Sequence, residues 1–213
     1  MGPVMELYTR NETAATIVHC ALEWAGAPHS IIEVRHSEDG GVSPSNYLAL
    51  NPRGTVPTLV DGEVVLYETV AILEYLVETL PGLGPRAGEP GRPELHFWLA
   101  WLTNNLMAAF YRWFKASEMI AVDAVEALKS GAMYDLEEHG AWLERRVSSR
   151  EWLVGESATV ADLFLQGLGS WAVEIDGLDF GGEALAQHAA RTLALPGVAA
   201  ALDQERALAQ PTG

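Results

Sequence analysis

One cysteine, Cys20, and two lysines, Lys115 and Lys129, are all that this chain of 213 residues carries of those types. A lone thiol excludes an internal disulfide and suits a reducing compartment. Thirteen basic residues stand against 29 acidic ones, a formal net charge of −16. Such a surface repels phosphate backbones and argues against nucleic acid as a partner. No apolar run reaches the roughly 18 residues that a membrane helix needs. The opening residues lack the basic and apolar regions of a secretory leader. The expectation is a cytoplasmic protein with no membrane partner. There is no Walker loop, no GxGxxG and no Cys/His ligand spacing, and the six histidines form no i,i+4 pair. No metal is therefore expected.

What is present is an ordinary soluble composition, 49% hydrophobic and 20% charged, in a chain long enough for two small cores. The stretch "LPGLGPRAGEPGRPEL" (80–95) holds four prolines and four glycines, which forbid a long helix or a central strand. It divides the chain into residues 1–80, a linker over 81–93, and residues 94–213. Ahead of it, strands and helices alternate. "MELYT" reads as a strand, 13–25 as a helix stopped by Gly26, and "HSIIEVR" as a second strand. "SPSNYLAL" reads as a short helix opened by Ser43-Pro44. "PTLVDGEVVLY" is a hairpin on an Asp-Gly turn, and 67–80 is a helix with Ala71, Ile72, Tyr75 and Leu76 on one face. The order βαβαββα describes an α/β domain. Beyond the linker every pattern is helical: 94–119, 122–150, a helix opened by a Thr159–Asp162 capping box, 183–194, and 197–209 after a break at Leu195-Pro196-Gly197.

The chemistry concentrates in "NPRGTVPTLVDGEVVLYETVAILEYL" (51–76). Val56-Pro57 admits two arrangements. A cis bond would turn the Val56 N–H and C=O outward, free to pair with an extended peptide laid alongside. A trans proline would simply start an edge strand. Glu68-Thr69 stands at a helix N-terminus, where unpaired N–H groups and the helix dipole hold a carboxylate and Glu68 can hold an ammonium. N-capping is the competing reading. Together the pair suits the zwitterionic end of an amino acid.

"NPRGTVPTL", "LYETVAILEYL" and "GESATVAD" occur in that order, and the set resembles the glutathione-binding and helix-capping motifs of the glutathione S-transferase family. The resemblance implies a thioredoxin-like domain followed by an α-helical bundle, with glutathione as cosubstrate and no metal. It also implies that Val56, beside a cis Pro57, pairs with the cysteinyl backbone, and that Glu68 and Thr69 hold the γ-glutamyl end. Thr69 stands where the family has serine. Arg53 and His36 flank the implied groove, near the glycyl carboxylate.

The catalytic loop, "YTRNETAAT" (8–16), departs from the family, having no Ser or Cys. Thr13 aligns with the serine-type hydroxyl, although insertions can slip that place to Glu12, and Asn11 offers an amide. A hydroxyl or amide donor at a helix N-terminus favours a thiolate over a thiol of pKa about 8.5. Thr13 also reads as a helix cap. Tyr8 reads as a strand aromatic and Cys20 as a buried, inert thiol. On the helical side, Asn104, Ala108, Tyr111 and Arg112 are the candidates for binding a small hydrophobic electrophile, and Trp98, Trp101 and Trp113 read as packing residues. The implied activity is glutathione transfer. The alternatives are a glutathione-dependent isomerase or dehalogenase, favoured if Arg112 faces the substrate, and a non-catalytic glutathione-binding scaffold. A homodimer is expected, through the helices at 67–80 and 94–119.

Overall fold

A computed structural model describes residues 4–36 and 41–208. Strand β1 (Met5–Thr9) leads through helix α1 (Ala15–Trp24) to β2 (His29–Glu33). A small hairpin follows, β3 (Arg35–His36) with β4 (Val42–Ser43), then helix α2 (Tyr47–Leu50), strands β5 (Thr58–Asp61) and β6 (Val64–Tyr67), and helix α3 (Thr69–Thr79). The four longer strands form one mixed sheet in the order β2-β1-β5-β6. β1 runs parallel to β2 and antiparallel to β5, and β5 runs antiparallel to β6. This is the thioredoxin-like arrangement expected from the sequence, with the β3–β4 hairpin added.

Three local readings change. Ser43 pairs with Arg35 in the hairpin, so it belongs to a strand. Pro44 sits a turn ahead of α2, its carbonyl accepting the Tyr47 N–H at 2.9 Å, and the Ser43-Pro44 bond is cis. The helix at 67–80 begins two residues later, because Tyr67 pairs with Thr58 in β6. Its inner face is Thr69, Ile72, Leu73, Leu76 and Val77. Ala71 is exposed, and the half-buried Tyr75 gives its hydroxyl to Asp61 Oδ2 at 2.8 Å.

The helical part opens with α4 (Arg92–Trp101), Pro93 in its first turn, where a missing N–H costs nothing. The single helix read over 94–119 is in fact interrupted. After α4 come a π-helical segment (Leu102–Met107), α5 (Ala108–Phe114) and α6 (Ala116–Met119). The reason lies in two side chains: Thr103 Oγ1 donates to the Leu99 carbonyl at 2.9 Å and Asn105 Nδ2 to the Trp101 carbonyl at 3.2 Å. Side chains that bond carbonyls one turn back compete with the backbone ladder and deform it. Helix α7 (Val125–Ser148) follows a 3₁₀ turn at Val122–Ala124; α8 (Val160–Ser170) and α9 (Glu183–Leu193) complete the bundle. The capping box at α8 forms as read: Asp162 Oδ2 accepts the Thr159 N–H at 2.8 Å, and Thr159 Oγ1 accepts the Ala161 N–H at 3.2 Å.

The last helix, α10 (Val198–Leu208), belongs to the other unit. The chain forms two compact units, residues up to Arg86 together with those from Ala194 onward, and Ala87–Leu193. The division therefore differs from the expected helical domain of 94–213. α10 packs on α1, its Glu205 buried at 2% exposure and bonded to His19 Nδ1 at 2.8 Å. A sequence pattern shows that a helix has an apolar face, not which partner covers it.

Candidate functional site

Strand register gathers the N-terminal candidates. Tyr8 of β1 lies opposite Thr58 of β5, which lies opposite Tyr67 of β6. The loop that follows β1, the Val56-Pro57 segment that precedes β5 and the Glu68-Thr69 pair that follows β6 thus leave the sheet at one end. Three segments far apart in sequence become neighbours there because antiparallel pairing aligns the end of one strand with the start of the next.

The Val56-Pro57 bond is cis. Among the described residues, no hydrogen bond holds the Val56 N–H or C=O, whereas the segment just before it is tightly fixed. The buried Asn51 donates through Nδ2 to the Thr55 carbonyl at 2.7 Å and to Thr58 Oγ1 at 3.2 Å. Its Oδ1 accepts the Arg53 N–H at 3.0 Å. The Tyr47 hydroxyl also reaches the Thr55 carbonyl and, at 2.8 Å, Thr58 Oγ1, and burial pushes that phenol's pKa up. Gly54, at φ +67, supplies a backbone shape that side chains disfavour. The Arg53 side chain stands in solvent.

At the start of α3, Thr69 is buried and Glu68 is exposed. Glu68 adopts φ 81, ψ 117 and makes no side-chain capping bond. A non-glycine residue in that region costs on the order of 1–3 kcal/mol and persists only where the surroundings impose it. Its carboxylate is available to a ligand, beside the unpaired N–H groups of the helix's first turn.

The loop after β1 behaves differently. Thr13 Oγ1 donates to the Arg10 carbonyl at 2.6 Å and accepts the Ala15 N–H at 3.3 Å, so its hydroxyl closes the turn into α1. Asn11 is half-buried, and its amide makes no hydrogen bond among the described residues. Glu12 is exposed with φ 60. Tyr8 is 5% exposed and stacks on Tyr47, ring centroids 5.2 Å apart; burial and the neighbouring Glu6 raise its pKa. Cys20 is buried, and burial, with Glu205 and Glu23 nearby, pushes its thiol up to about 12. It stays protonated at neutral pH.

Two features of this region went unread in the sequence. Arg10 Nη1 bonds His36 Nδ1 at 3.2 Å, and His36 Nε2 bonds the Gly54 carbonyl at 3.0 Å. A carbonyl only accepts, so His36 carries its proton on Nε2 and accepts from Arg10. This relay ties the loop after β1 to the segment before Val56, which only the fold could reveal. The bracing by Asn51 had one clue, an amide embedded in the glutathione-binding motif.

In the helical unit, Arg112 turns to α7 and pairs with Asp135, Nη2 to Oδ2 at 2.6 Å. Tyr111 is 45% exposed and stacks on Trp171, centroids 6.2 Å apart. Asn104 is exposed and Ala108 half-buried. Trp98 is buried and Trp101 meets Trp142 at 4.5 Å, the packing role read for them. Lys129 lies over the Trp113 ring, 5.3 Å from its centroid.

A family model described as "Glutathione S-transferase, N-terminal domain" matches residues 14–79, the span from α1 through α3. A protein of Xanthomonas campestris pv. campestris, named glutathione S-transferase GST-4.5, is 31% identical over 205 residues, covering 94% of this chain and 98% of that one. This chain belongs to the glutathione S-transferase family. A sphingomonad glutathione S-transferase solved in complex with glutathione superposes with a TM-score of 0.80 at 28% identity, over 94% of this transferase and 98% of that chain. A maleylacetoacetate isomerase of Pseudomonas aeruginosa is 39% identical over 92 residues, 41% of this chain and 43% of its own.

Proposed function

We propose that this transferase binds glutathione at the end of the sheet where β1, β5 and β6 meet, and activates its thiol for attack on a small hydrophobic electrophile. Glu68 carries the reading. It is a strained residue whose exposed carboxylate makes no capping bond, set where a ligand's ammonium would find it. Thr69 and the first-turn N–H groups of α3 take the γ-glutamyl carboxylate. The Val56 N–H and C=O take the cysteinyl backbone beside Pro57. Arg53, with the Arg10–His36 relay, faces the glycyl end.

The thiol is then activated from the loop after β1. In this conformation the Thr13 proton is already given to the Arg10 carbonyl, while the Asn11 amide is uncommitted. Asn11 is therefore the readier donor to the sulfur, and Thr13 serves only if it releases Arg10. Either donor stabilises the anion, whose sulfur lone pair attacks the electrophilic carbon as the leaving group departs. Within the helical unit, Asn104, Ala108 and Tyr111 remain the candidates for contacting the electrophile. No metal enters this chemistry. Arg112 pairs with Asp135, so its charge is already partly met, and we keep isomerase or dehalogenase chemistry as the second reading. No described helix is long and apolar enough to cross a membrane. Our reading of this enzyme is of a cytoplasmic homodimer.

The test is conjugation of glutathione to a chromogenic aryl halide, with glutathione binding measured by calorimetry in parallel. Binding with saturable turnover is expected. Binding without turnover on a panel of halides would favour the scaffold reading, and absence of binding would overturn the site.

A further inference from the structure

The α1 helix ends in a group of side chains that the transferase reaction does not use. His19 and Glu23, one turn apart, meet His29 at the start of β2, and one ligand atom from each of the three lies within 4.8 Å of the others. Glu23 Oε1 is 4.0 Å from His19 Nε2 and 3.7 Å from His29 Nε2.

The tautomers are fixed from behind. His29 Nδ1 bonds the Ala27 carbonyl at 2.8 Å, and since a carbonyl only accepts, that nitrogen carries the proton. His19 Nδ1 bonds Glu205 Oε1 at 2.8 Å, on a carboxylate that also accepts from Thr9 and Thr16 at 3.3 and 3.4 Å. Both rings therefore turn Nε2 toward Glu23. His19 is fully buried, yet its Nε2 has no hydrogen-bond partner. An orphaned buried nitrogen calls for a physical explanation.

We propose that His19 Nε2, His29 Nε2 and Glu23 Oε1 bind a divalent transition metal ion of the zinc class. Two imidazoles and a carboxylate are a zinc donor set with one open position, and a metal-bound histidine characteristically gives its other N–H to a carboxylate or carbonyl. Glu205 and Ala27 fill those roles here. Tetrahedral bonds of about 2.1 Å put ligand atoms roughly 3.4 Å apart, so Glu23 Oε1 closes on the two rings by about 0.3–0.6 Å, and the two imidazole nitrogens, within 4.8 Å of each other, draw together by up to about 1.4 Å on binding. That carboxylate is 25% exposed and otherwise bonds Gln204 Nε2 at 3.2 Å. It also lies at the C-terminal end of α1, where the helix dipole favours a cation. The ion would join α1, β2 and, through Glu205, α10. Sequence spacing hid the set because its i,i+4 partner is a glutamate, and the second histidine arrives only after the turn at Gly26.

Equilibrium dialysis of chelator-stripped full-length protein against zinc should show one tight equivalent that excess magnesium does not displace. His29→Ala and Glu23→Gln, each confirmed folded by circular dichroism, should weaken it by about tenfold or more. Cobalt in place of zinc should give the visible bands of a tetrahedral nitrogen–oxygen site without a thiolate charge-transfer band. Three results would overturn the proposal: no binding at micromolar metal, as expected if His19 merely carries a proton between Glu205 and Glu23; displacement by magnesium, which marks the acidic surface; or unchanged affinity in both variants.

Discussion

In the proposed site, Glu68 would serve a ligand against its own backbone, which sits at φ 81. Glycine relieves a strained positive φ, whereas alanine keeps the Cβ that causes it. Glu68→Gly should therefore exceed Glu68→Ala in stability by about 1–2 kcal/mol, read from urea midpoints. Both should lose glutathione affinity alike, since both lack the carboxylate. Equal stabilities would mean that the backbone at Glu68 is not strained. The donors in the loop after β1 are separable in the same way. Asn11→Ala should raise the pKa of bound glutathione by about one to two units, roughly the worth of one hydrogen bond to a charged group. The near-ultraviolet thiolate band against pH measures this directly. Thr13→Ala should instead cost stability, about 1 kcal/mol as for a lost helix cap, with little change in the thiol. The reverse pattern would transfer the role to Thr13. The residues proposed to bind glutathione could be named from the sequence because a motif carries them. The state of the Thr13 hydroxyl was not, because it depends on where the Arg10 carbonyl points.

At the scale of elements, α7 and α9 are joined by one carboxylate. Glu144 accepts the N–H groups of Gly182, Ala184 and Leu185 at 3.0, 2.9 and 2.8 Å, three donors that the first turn of α9 would otherwise leave unpaired. Burial pushes the Glu144 pKa up, but the backbone donors outweigh it and hold it below the usual glutamate value. A depressed folded pKa adds stability above the unfolded carboxyl value, and that stability is lost as pH falls through the folded one. Glu144→Gln should thus cost about 1–3 kcal/mol at neutral pH, with the gap to wild type closing in acid. A gap constant with pH would refute the charged cap. Gly140, on the same helix, is set by proximity. A Cβ there would lie 2.5 Å from the Phe180 carbonyl oxygen. Alanine gains about 1 kcal/mol of helix propensity, but the obstacle is backbone and cannot swing aside. Gly140→Ala should lose on balance, by about 1–2 kcal/mol, as a lowered melting temperature. Periodicity located these helices within a few residues. It missed the π segment because the cause, Thr103 and Asn105 bonding back to carbonyls, leaves the apolar pattern intact.

For the whole molecule, the two-part organisation was legible from eight prolines and glycines in one stretch, while the return of α10 to the first unit was not. Nothing in 198–208 distinguishes a helix that covers α1 from one that extends the bundle. Association is the remaining expectation at this scale. The outer strand β6 exposes Val64, Val65 and Tyr67 at 37–39%, and on α4 Phe97 is 49% exposed. These lie on or next to the two segments expected to meet a second copy. A net charge of −16 on each chain opposes that meeting through long-range repulsion, which salt screens within about 10 Å at 0.1 M. Apolar burial, by contrast, does not weaken in salt. The dimer should therefore be tighter at 0.5 M sodium chloride than at 0.02 M. Light scattering at micromolar concentration should give twice the 23.1 kDa chain mass, and dilution at low salt should bring the mass down first. Phe97→Asp should shift the equilibrium toward single chains while leaving glutathione affinity per chain unchanged, because Phe97 lies outside the proposed glutathione site. A mass of one chain at every salt concentration would dismiss the dimer, and a mass that falls as salt rises would mean that ion pairs, not apolar contacts, hold it.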